Sequence, residues 1–421
     1  MEKIPEQVAL KPEQQKLPIK LKRNVSFLGI LSAGVGAILG AGIYALIGKA
    51  ALLSGNMLWL SFLIAAVIAM CTGLSFAELS SKMPKAGGAF YYVSRVLNRK
   101  LGFFVGIGMI LVGIFVSATL GIAFSSYLSS FVHANHILLA ILLIILVALI
   151  NYFGIDLSIK FNIFATVIET LGLVIIILLG LRYFGSVNYL EPASAGISGI
   201  FAAVGIIFFA YLGFEDIVNI AEETKKARQM MPKAVILSLI ITTVLYILVA
   251  LSVISIANYS EIGESGSPLT LVFTRATGFP AANLFSIIAL FSIFNTVLLI
   301  FMATTRIVYS MGKNKVLPAV FGSLQEIRRT PHFAILAVFL LAVIVIFIGD
   351  IAVLAQLSNI LILAVFIVVN IAVIKLRYKH PRTKGFSVPF SIGQFPVIPF
   401  LGVLSSAAIL IITFLNVVKV I

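Results

Sequence analysis

Eleven runs of apolar residues mark the chain, at 27–52, 58–79, 101–127, 137–153, 161–183, 199–221, 233–257, 281–309, 333–349, 352–376 and 396–418. A helix rises about 1.5 Å per residue, so about 20 apolar residues cross a hydrocarbon core roughly 30 Å thick. Each run approaches or exceeds that length and holds few charges. The pattern predicts an all-α polytopic membrane protein with about eleven transmembrane helices. Residues 1–26 depart from it as a polar tail rich in Lys, Glu and Gln, without the apolar core of a cleavable signal. Helices 1–5 then occupy 27–184 and helices 6–10 occupy 198–376, and 377–421 supply a basic loop and helix 11.

Two of these helices are interrupted in the same way. The first contains Gly34-Val35-Gly36-Ala37-Ile38-Leu39-Gly40-Ala41-Gly42-Ile43-Tyr44, and the sixth contains Phe208-Phe209-Ala210-Tyr211-Leu212-Gly213-Phe214-Glu215-Asp216. Glycine loosens a helix, and adjacent carboxylates at membrane depth are costly unless they face water or a cavity. Backbone groups freed in lipid must find partners, so such breaks persist beside a site. Helices 1 and 6 each open a block of five. Five is odd, so the second block enters the membrane upside down relative to the first. Interruptions at corresponding positions of two such halves point to the midplane site of an inverted-repeat transporter. A plainer reading is that Gly36 and Gly40, spaced G-x-x-x-G, serve only close helix packing. The same glycines loosely mimic a dinucleotide loop, but no strand precedes them.

Composition narrows the class. Of 421 residues, 61% are hydrophobic and 11% charged, with a mean hydropathy of +1.16. Soluble domains sit near roughly 45–50% apolar and 25% charged, so a soluble enzyme and a large extramembrane domain are excluded. The single cysteine, Cys71, lies in an apolar run, which excludes a disulfide scaffold. The net charge of +15 does not point to nucleic acid. With the amino terminus in the cytoplasm, all but four of the 30 Lys and Arg residues (Lys49, Arg182, Arg275 and Lys419) fall on the cytoplasmic side. That is the positive-inside rule, so the surplus reports topology and contact with anionic lipid. With eleven spans the carboxyl terminus then faces outward. His133, His136, His332 and His380 lack metal-ligand spacing, and no catalytic triad, P-loop or zinc pattern occurs. No enzymatic activity, cofactor or metal is expected.

Several segments carry a family resemblance. Gly40-Ala41-Gly42-Ile43-Tyr44 fits a G-x-G-I-[FY] break. Phe76-Ala77-Glu78-Leu79 leads to Pro84-Lys85-Ala86-Gly87-Gly88-Ala89-Phe90-Tyr91-Tyr92, and Phe209-Ala210-Tyr211-Leu212-Gly213-Phe214-Glu215 leads to Ala221-Glu222-Glu223-Thr224 and Pro232. Further along stand Thr305-Arg306, Met311, Leu317-Pro318, Leu376-Arg377, Pro389, Pro396 and Pro399. Together they resemble the amino acid–polyamine–organocation superfamily, nearest its cationic-amino-acid-transporter-like and archaeal permease branches. There are departures. Lys226-Ala227 stands where the family often has Asn-Pro, and eleven helices stand where it often has twelve.

The resemblance implies a secondary transporter of amino acids across the cytoplasmic membrane, coupled to a proton or driven by exchange. It would work by alternating access in a leucine-transporter-type fold, a 5+5 inverted repeat with helices 1 and 6 broken. N–H groups around Gly40, Ala41 and Gly42, flanked by Ile38 and Ile43, carry partial positive charge that suits a substrate carboxylate. Carbonyls freed around Phe208, Phe209, Ala210 and Tyr211, just before Gly213, suit its ammonium. Phe209 falls where the family has an aromatic lid, with core filling as the alternative. Ser117 and Thr119 are candidate path-lining hydroxyls unless they bond their own helix.

Coupling is expected at Glu169 in helix 5, where several relatives carry a lysine whose ammonium replaces a sodium ion. The lysine mechanism does not carry over to a glutamate. Glu169 reads as a proton carrier, as a cation ligand with Asn295 or Thr296 of helix 8, or as a structural hydrogen-bonding group. Glu215 is a candidate gating or protonatable carboxylate, with Asp216 beside it. Glu78, Lys82, Lys85, Arg95, Glu222, Glu223, Lys225, Arg306 and Lys313 form either an inner gate of ion pairs or solvated topology charges. Expected partners are an amino acid, a proton or sodium ion, and membrane lipid. A polyamine or other organic-cation carrier of the same superfamily is the alternative, which Glu169 and Glu215 keep open. An ion channel would need a selectivity filter or charged ring, and neither is apparent.

Overall fold

The computed structural model describes residues 20–420 apart from 130, 266, 281, 349, 350 and 380–383. His380 and most of the polar tail therefore lie outside the described residues. The helices are α1 (Phe27–Ser54), α2 (Leu58–Lys82), α3 (Gly88–Val96), α4 (Arg99–Leu128), α5 (His136–Phe153), α6 (Ile155–Leu181) and α7 (Gly196–Phe208). They continue with α8 (Ala227–Ile256), α9 (Tyr259–Glu264), α10 (Pro268–Thr277), α11 (Ala282–Lys313), α12 (His332–Ile348), α13 (Ile351–Lys379) and α14 (Val397–Val420). A small antiparallel hairpin, β1 (Ser391–Ile392) with β2 (Phe395–Pro396), precedes α14.

Among the described residues nine helices are long and apolar enough to cross a membrane, and Gly196–Tyr211 and His332–Phe347 are shorter apolar helices. Together they account for the eleven expected spans. The fifth begins earlier than its apolar run, at Ile155, so Lys160 belongs to a helix and not to a loop. The sixth is cut short, its α-helix stopping at Phe208. Helix starts are capped locally: Ser26, Asn98 and Asn135 accept hydrogen bonds from the N–H groups of Gly29, Leu101 and Ile137. These caps satisfy donors that the first turn of a helix leaves without partners.

The polarity of the bundle is that of a membrane protein. Leu138, Leu142, Ile145 and Leu149 form an exposed stripe on α5, and Leu401, Leu404 and Ile411 are exposed on α14. Inside lie Asn151, Asn162, Glu169, Glu215, Asn295 and Asn370, all buried. Lipid accepts the apolar exterior, while polar groups must find partners within the bundle. α1 sits at the centre, packed on α6, α7, α8 and α11. Around it α2 packs on α8, α4 on α11 and α5 on α12, with α14 peripheral against α13 and α2.

Candidate functional site

The site grows from two backbone interruptions. In α1 the helical dihedrals fail at Gly40, with φ 6° and ψ −166°. The sixth span leaves α7 at Phe208, makes one 3-10 turn over Phe209–Tyr211, and extends at Leu212. It then turns through Gly213 at φ 117° before resuming as a 3-10 helix at Ile217–Glu223. A left-handed φ of that size suits glycine, because a Cβ would clash with the backbone.

The two interruptions lie against each other. A Cβ on Gly42 would stand 2.9 Å from Ala210 Cα, and one on Gly213 would stand 2.7 Å from the Ala37 carbonyl oxygen. Tyr246 of α8 ties them further. Its hydroxyl lies 2.7 Å from the Ile38 carbonyl and 3.0 Å from the Ala210 carbonyl, so one proton is shared between oxygens freed by both breaks. The Gly213 N–H, freed in turn, donates to the Glu215 carboxylate at 2.9 Å. Every one of these groups would be orphaned in lipid, and each has found a partner at the break.

A cavity of about 60 Å³ opens between the breaks and two straight helices. The breaks contribute Ala37, Ile38, Gly40, Gly42, Phe209, Ala210, Leu212, Gly213, Glu215 and Asp216. α4 supplies a wall of Met109, Val112, Gly113, Val116 and Leu120, and α11 supplies Thr296, Ile300 and Thr304. Phe209 also lines a second cavity of about 370 Å³ with Leu46, Lys49, Gln356 and Asn359. Of the residues expected here, Ile43, Phe208 and Tyr211 lie in the packing around the cavity. Ile43 is fully buried, Phe208 meets the Phe366 ring edge-on, and the Tyr211 hydroxyl donates to the Phe62 carbonyl at 3.2 Å. Ala41 occupies the same turn of α1 as Gly40, its side chain lying outside the description. Ser117 is buried on α4, away from the lining.

A second polar cluster lies between α1, α6 and α11. The Asn295 amide donates to Glu169 Oε1 at 3.0 Å and lies 3.1 Å from Thr166 Oγ1, while Asn162 donates to Asn295 Oδ1 at 2.9 Å. The Tyr44 hydroxyl holds the Glu169 backbone carbonyl at 2.8 Å. Glu169 Oε2, Asn162 Oδ1, Ser32 Oγ and Ser292 Oγ are buried without hydrogen-bond partners among the described residues. Gly36 makes the cluster accessible to the backbone of α1, since a Cβ there would fall 2.3 Å from Thr166 Oγ1 and 2.5 Å from Asn295 Nδ2. Thr296 belongs to the other site. It turns toward Gly40, whose Cβ would stand 2.5 Å from Thr296 Oγ1, and donates to the Ser292 carbonyl.

At the end of the bundle that carries the amino-terminal segment, the charges divide. Arg306 and Glu223 are buried and joined by two hydrogen bonds of 3.0 and 3.1 Å. Glu78, also buried, accepts from Lys82, Arg377 and the Val388 N–H. Lys85 and Lys313 remain half exposed near Glu222, and Arg95 lies over the Tyr91 ring. Ion pairing and solvation thus both occur in the set that sequence brought together. Sequence gave no signal for Asn162, Thr166, Tyr246 or the α4 wall, because a lone Asn or Tyr in an apolar run has no pattern of its own. Among the described residues no group of three or more His, Cys, Asp or Glu side chains is arranged to hold a metal ion.

The arrangement is that of an all-α polytopic membrane protein with a cavity between two interrupted helices. The profile of the amino acid permease family matches residues 25–420, and the chain belongs to that family. It is 26% identical over 406 residues to the branched-chain amino acid permease BcaP of Bacillus subtilis (strain 168), covering 91% of this chain and 86% of that protein. It is 28% identical over 402 residues to a methylthioribose transporter of the same organism, covering 90% and 86%. Against the vacuolar cationic amino acid transporter 4 of Arabidopsis thaliana it is 28% identical over 390 residues, covering 86% of this chain and 65% of that protein. The chain is an amino acid transporter and not an enzyme.

Proposed function

We propose that the protein carries an α-amino acid with an apolar side chain across the cell membrane by alternating access, its amino terminus in the cytoplasm. The observation that carries this reading is the single cavity between the two backbone breaks. N–H groups of α1 near Gly40 and Gly42 receive the carboxylate, and carbonyls of Phe209–Tyr211 receive the ammonium. The side chain is left to Met109, Val112, Val116, Leu120 and Ile300. That wall favours an aliphatic group, as does the branched-chain permease of Bacillus subtilis. Phe209, which lines both cavities, acts as the lid.

The two blocks of five helices are inverted repeats in this reading. Counterparts pack in pairs, α1 with α7, α2 with α8, α4 with α11 and α5 with α12. The connector helices repeat the scheme, α3 against α13 as α10 against α6. Glu169 is the coupling group. A sealed carboxylate among neutral partners is expensive as a bare charge, so a proton arrives with the substrate or leaves against it. The hydroxyl oxygens of Ser32 and Ser292, unpartnered beside the free oxygen of Glu169, support a second reading, a sodium ion held there.

Proteoliposomes loaded with the purified protein and offered a labelled amino acid panel test both parts. Leucine, isoleucine or valine uptake driven by an imposed pH gradient is expected. Uptake that needs a sodium gradient moves the assignment to the cation. If lysine, arginine or a polyamine enters and aliphatic amino acids do not, Glu215 and Asp216 set the specificity and the apolar wall does not.

A further inference from the structure

A second concave site lies at the end of the bundle that carries the amino-terminal segment, away from the substrate cavity. It is a crevice of about 770 Å³ lined by Arg23, Lys82, Lys85, Lys226 and Arg228, with Tyr91 and Gln229, and no Asp or Glu among its lining residues. Lys82 is paired with Glu78 at 2.7 Å, and Lys85 lies 3.8 Å from Glu222. Arg23, Lys226 and Arg228 are exposed and make no ion pair among the described residues. Charges scattered for topology do not need a hollow. These five surround one.

The backbone adds to the positive field. Lys226 is a non-glycine residue in the left-handed region, φ 48° and ψ 40°, at the cap of α8. Its side chain makes no capping bond, so the first turn of a 30-residue helix opens on the crevice uncapped. Such a terminus carries partial positive charge and presents N–H groups to an anion. The Ser81 hydroxyl donates to the Arg228 carbonyl at 2.8 Å and fixes this turn against the end of α2. Guanidinium and ammonium groups around a helix terminus are the donor set of a phosphate site.

We propose that this crevice binds a phosphate-bearing anion, either a phospholipid head group or a soluble phosphate compound. The crevice joins three segments: the strap before α1 through Arg23, the end of α2 and the connector after it through Lys82 and Lys85, and the start of α8 through Lys226 and Arg228. The strap already pairs with the segment after the broken span, Val25 N–H to the Glu223 carbonyl at 2.9 Å and Lys225 N–H to the Val25 carbonyl at 3.0 Å. An anion across the three holds this end of the bundle shut and slows transport, a consequence that rests on the alternating-access reading. Binding itself does not rest on it.

The test uses the full-length protein in two arms. Inorganic pyrophosphate is titrated into protein reconstituted in phosphatidylcholine vesicles. Separately, vesicles with and without phosphatidylglycerol are compared. Melting temperature and amino acid uptake are read in each. Stabilisation by pyrophosphate assigns a soluble anion, and stabilisation by phosphatidylglycerol alone assigns a head group. The variant Lys226→Gln with Arg228→Gln is expected to weaken the midpoint roughly 30-fold, at about 1 kcal/mol per basic residue. Arg329→Gln with Lys384→Gln removes the same charge from outside the crevice and is expected to leave the midpoint unchanged. Equal midpoints for the two double variants, or no stabilisation in either arm, overturn the proposal. Anion stabilisation without any effect on uptake keeps the site and overturns only its control of transport.

Discussion

Glu223 and Glu169 are both sealed from solvent, yet they keep opposite company. Glu223 ends the broken sixth span and meets a buried guanidinium, Arg306, through two hydrogen bonds. Glu169 lies within α6 and meets neutral groups, the Asn295 amide on one oxygen and no hydrogen-bond partner on the other. A buried pair that neutralises itself holds two elements in register and has nothing to exchange. A buried carboxyl with neutral neighbours needs its charge balanced by something that arrives. The neighbours of a buried carboxyl, and not its burial, separate the clamp from the coupling group.

The clamp should show the larger effect on stability. Arg306→Met strands Glu223 without its cation, and breaking such a pair costs about 3–5 kcal/mol. We expect a marked fall in melting temperature in detergent. Adding Glu223→Gln to Arg306→Met should recover most of the loss, since replacing both ends removes the stranded charge. If Arg306→Met melts with the parent, the pair is not a clamp and the contrast with Glu169 fails.

Gly213→Ala tests the break between these two glutamates. The new methyl would sit 2.7 Å from the Ala37 carbonyl on a backbone at φ 117°, a conformation costing about 1–3 kcal/mol for a side-chain-bearing residue. Protein that still reaches the membrane should lose uptake, because Gly213 and Ala37 both line the cavity. Wild-type uptake by this variant would remove the contact from the site.

Glu169→Gln sharpens the comparison from the other side. The amide keeps an oxygen for Asn295, so stability should change by no more than about 1 kcal/mol. Transport, in contrast, should lose its response to an imposed pH gradient while exchange of internal for external amino acid persists. A pH response equal to that of the parent would end the proton reading and leave sodium or a purely structural role.

The sequence made the spans, the two interruptions and the nearness of Glu169 to Asn295 or Thr296 of helix 8 legible, of which the structure brings Asn295 to the carboxylate, for three separate physical reasons. Spans are written in twenty-residue apolar runs. Interruptions are written in glycines and carboxylates that lipid does not tolerate. The Glu169 contact came from the fold that the resemblance implied, which brings helices 5 and 8 together. What stayed hidden depends on side-chain direction within a continuous apolar run. Met109, Val112 and Val116 face the cavity, while Phe104, five residues before Met109, is exposed on the outside of the bundle. Helical periodicity fades when every face is apolar. Tyr211 and Thr296 show the same limit: both sit in segments the sequence singled out, and only side-chain direction decides that Thr296 lines the cavity while Tyr211 is buried outside its lining.

Tyr246→Phe carries the smallest effect on transport and the most specific one. The ring packs near Phe62 and edge-on to Tyr211, and phenylalanine preserves both contacts. Only the hydroxyl goes, and with it a single proton shared between the carbonyls of Ile38 and Ala210. Net loss of one hydrogen bond is worth about 0.5–1.5 kcal/mol, so the protein should remain folded with a slightly lower melting temperature. The informative reading is substrate affinity. The hydroxyl restrains the α1 break against the sixth-span break, so without it both should be less well organised for the zwitterion. Affinity should then weaken by about tenfold or less, while the pH dependence set at Glu169 stays as in the parent. A shift in pH dependence instead would mean that the two sites are not separate, and that the break geometry itself sets the protonation of Glu169.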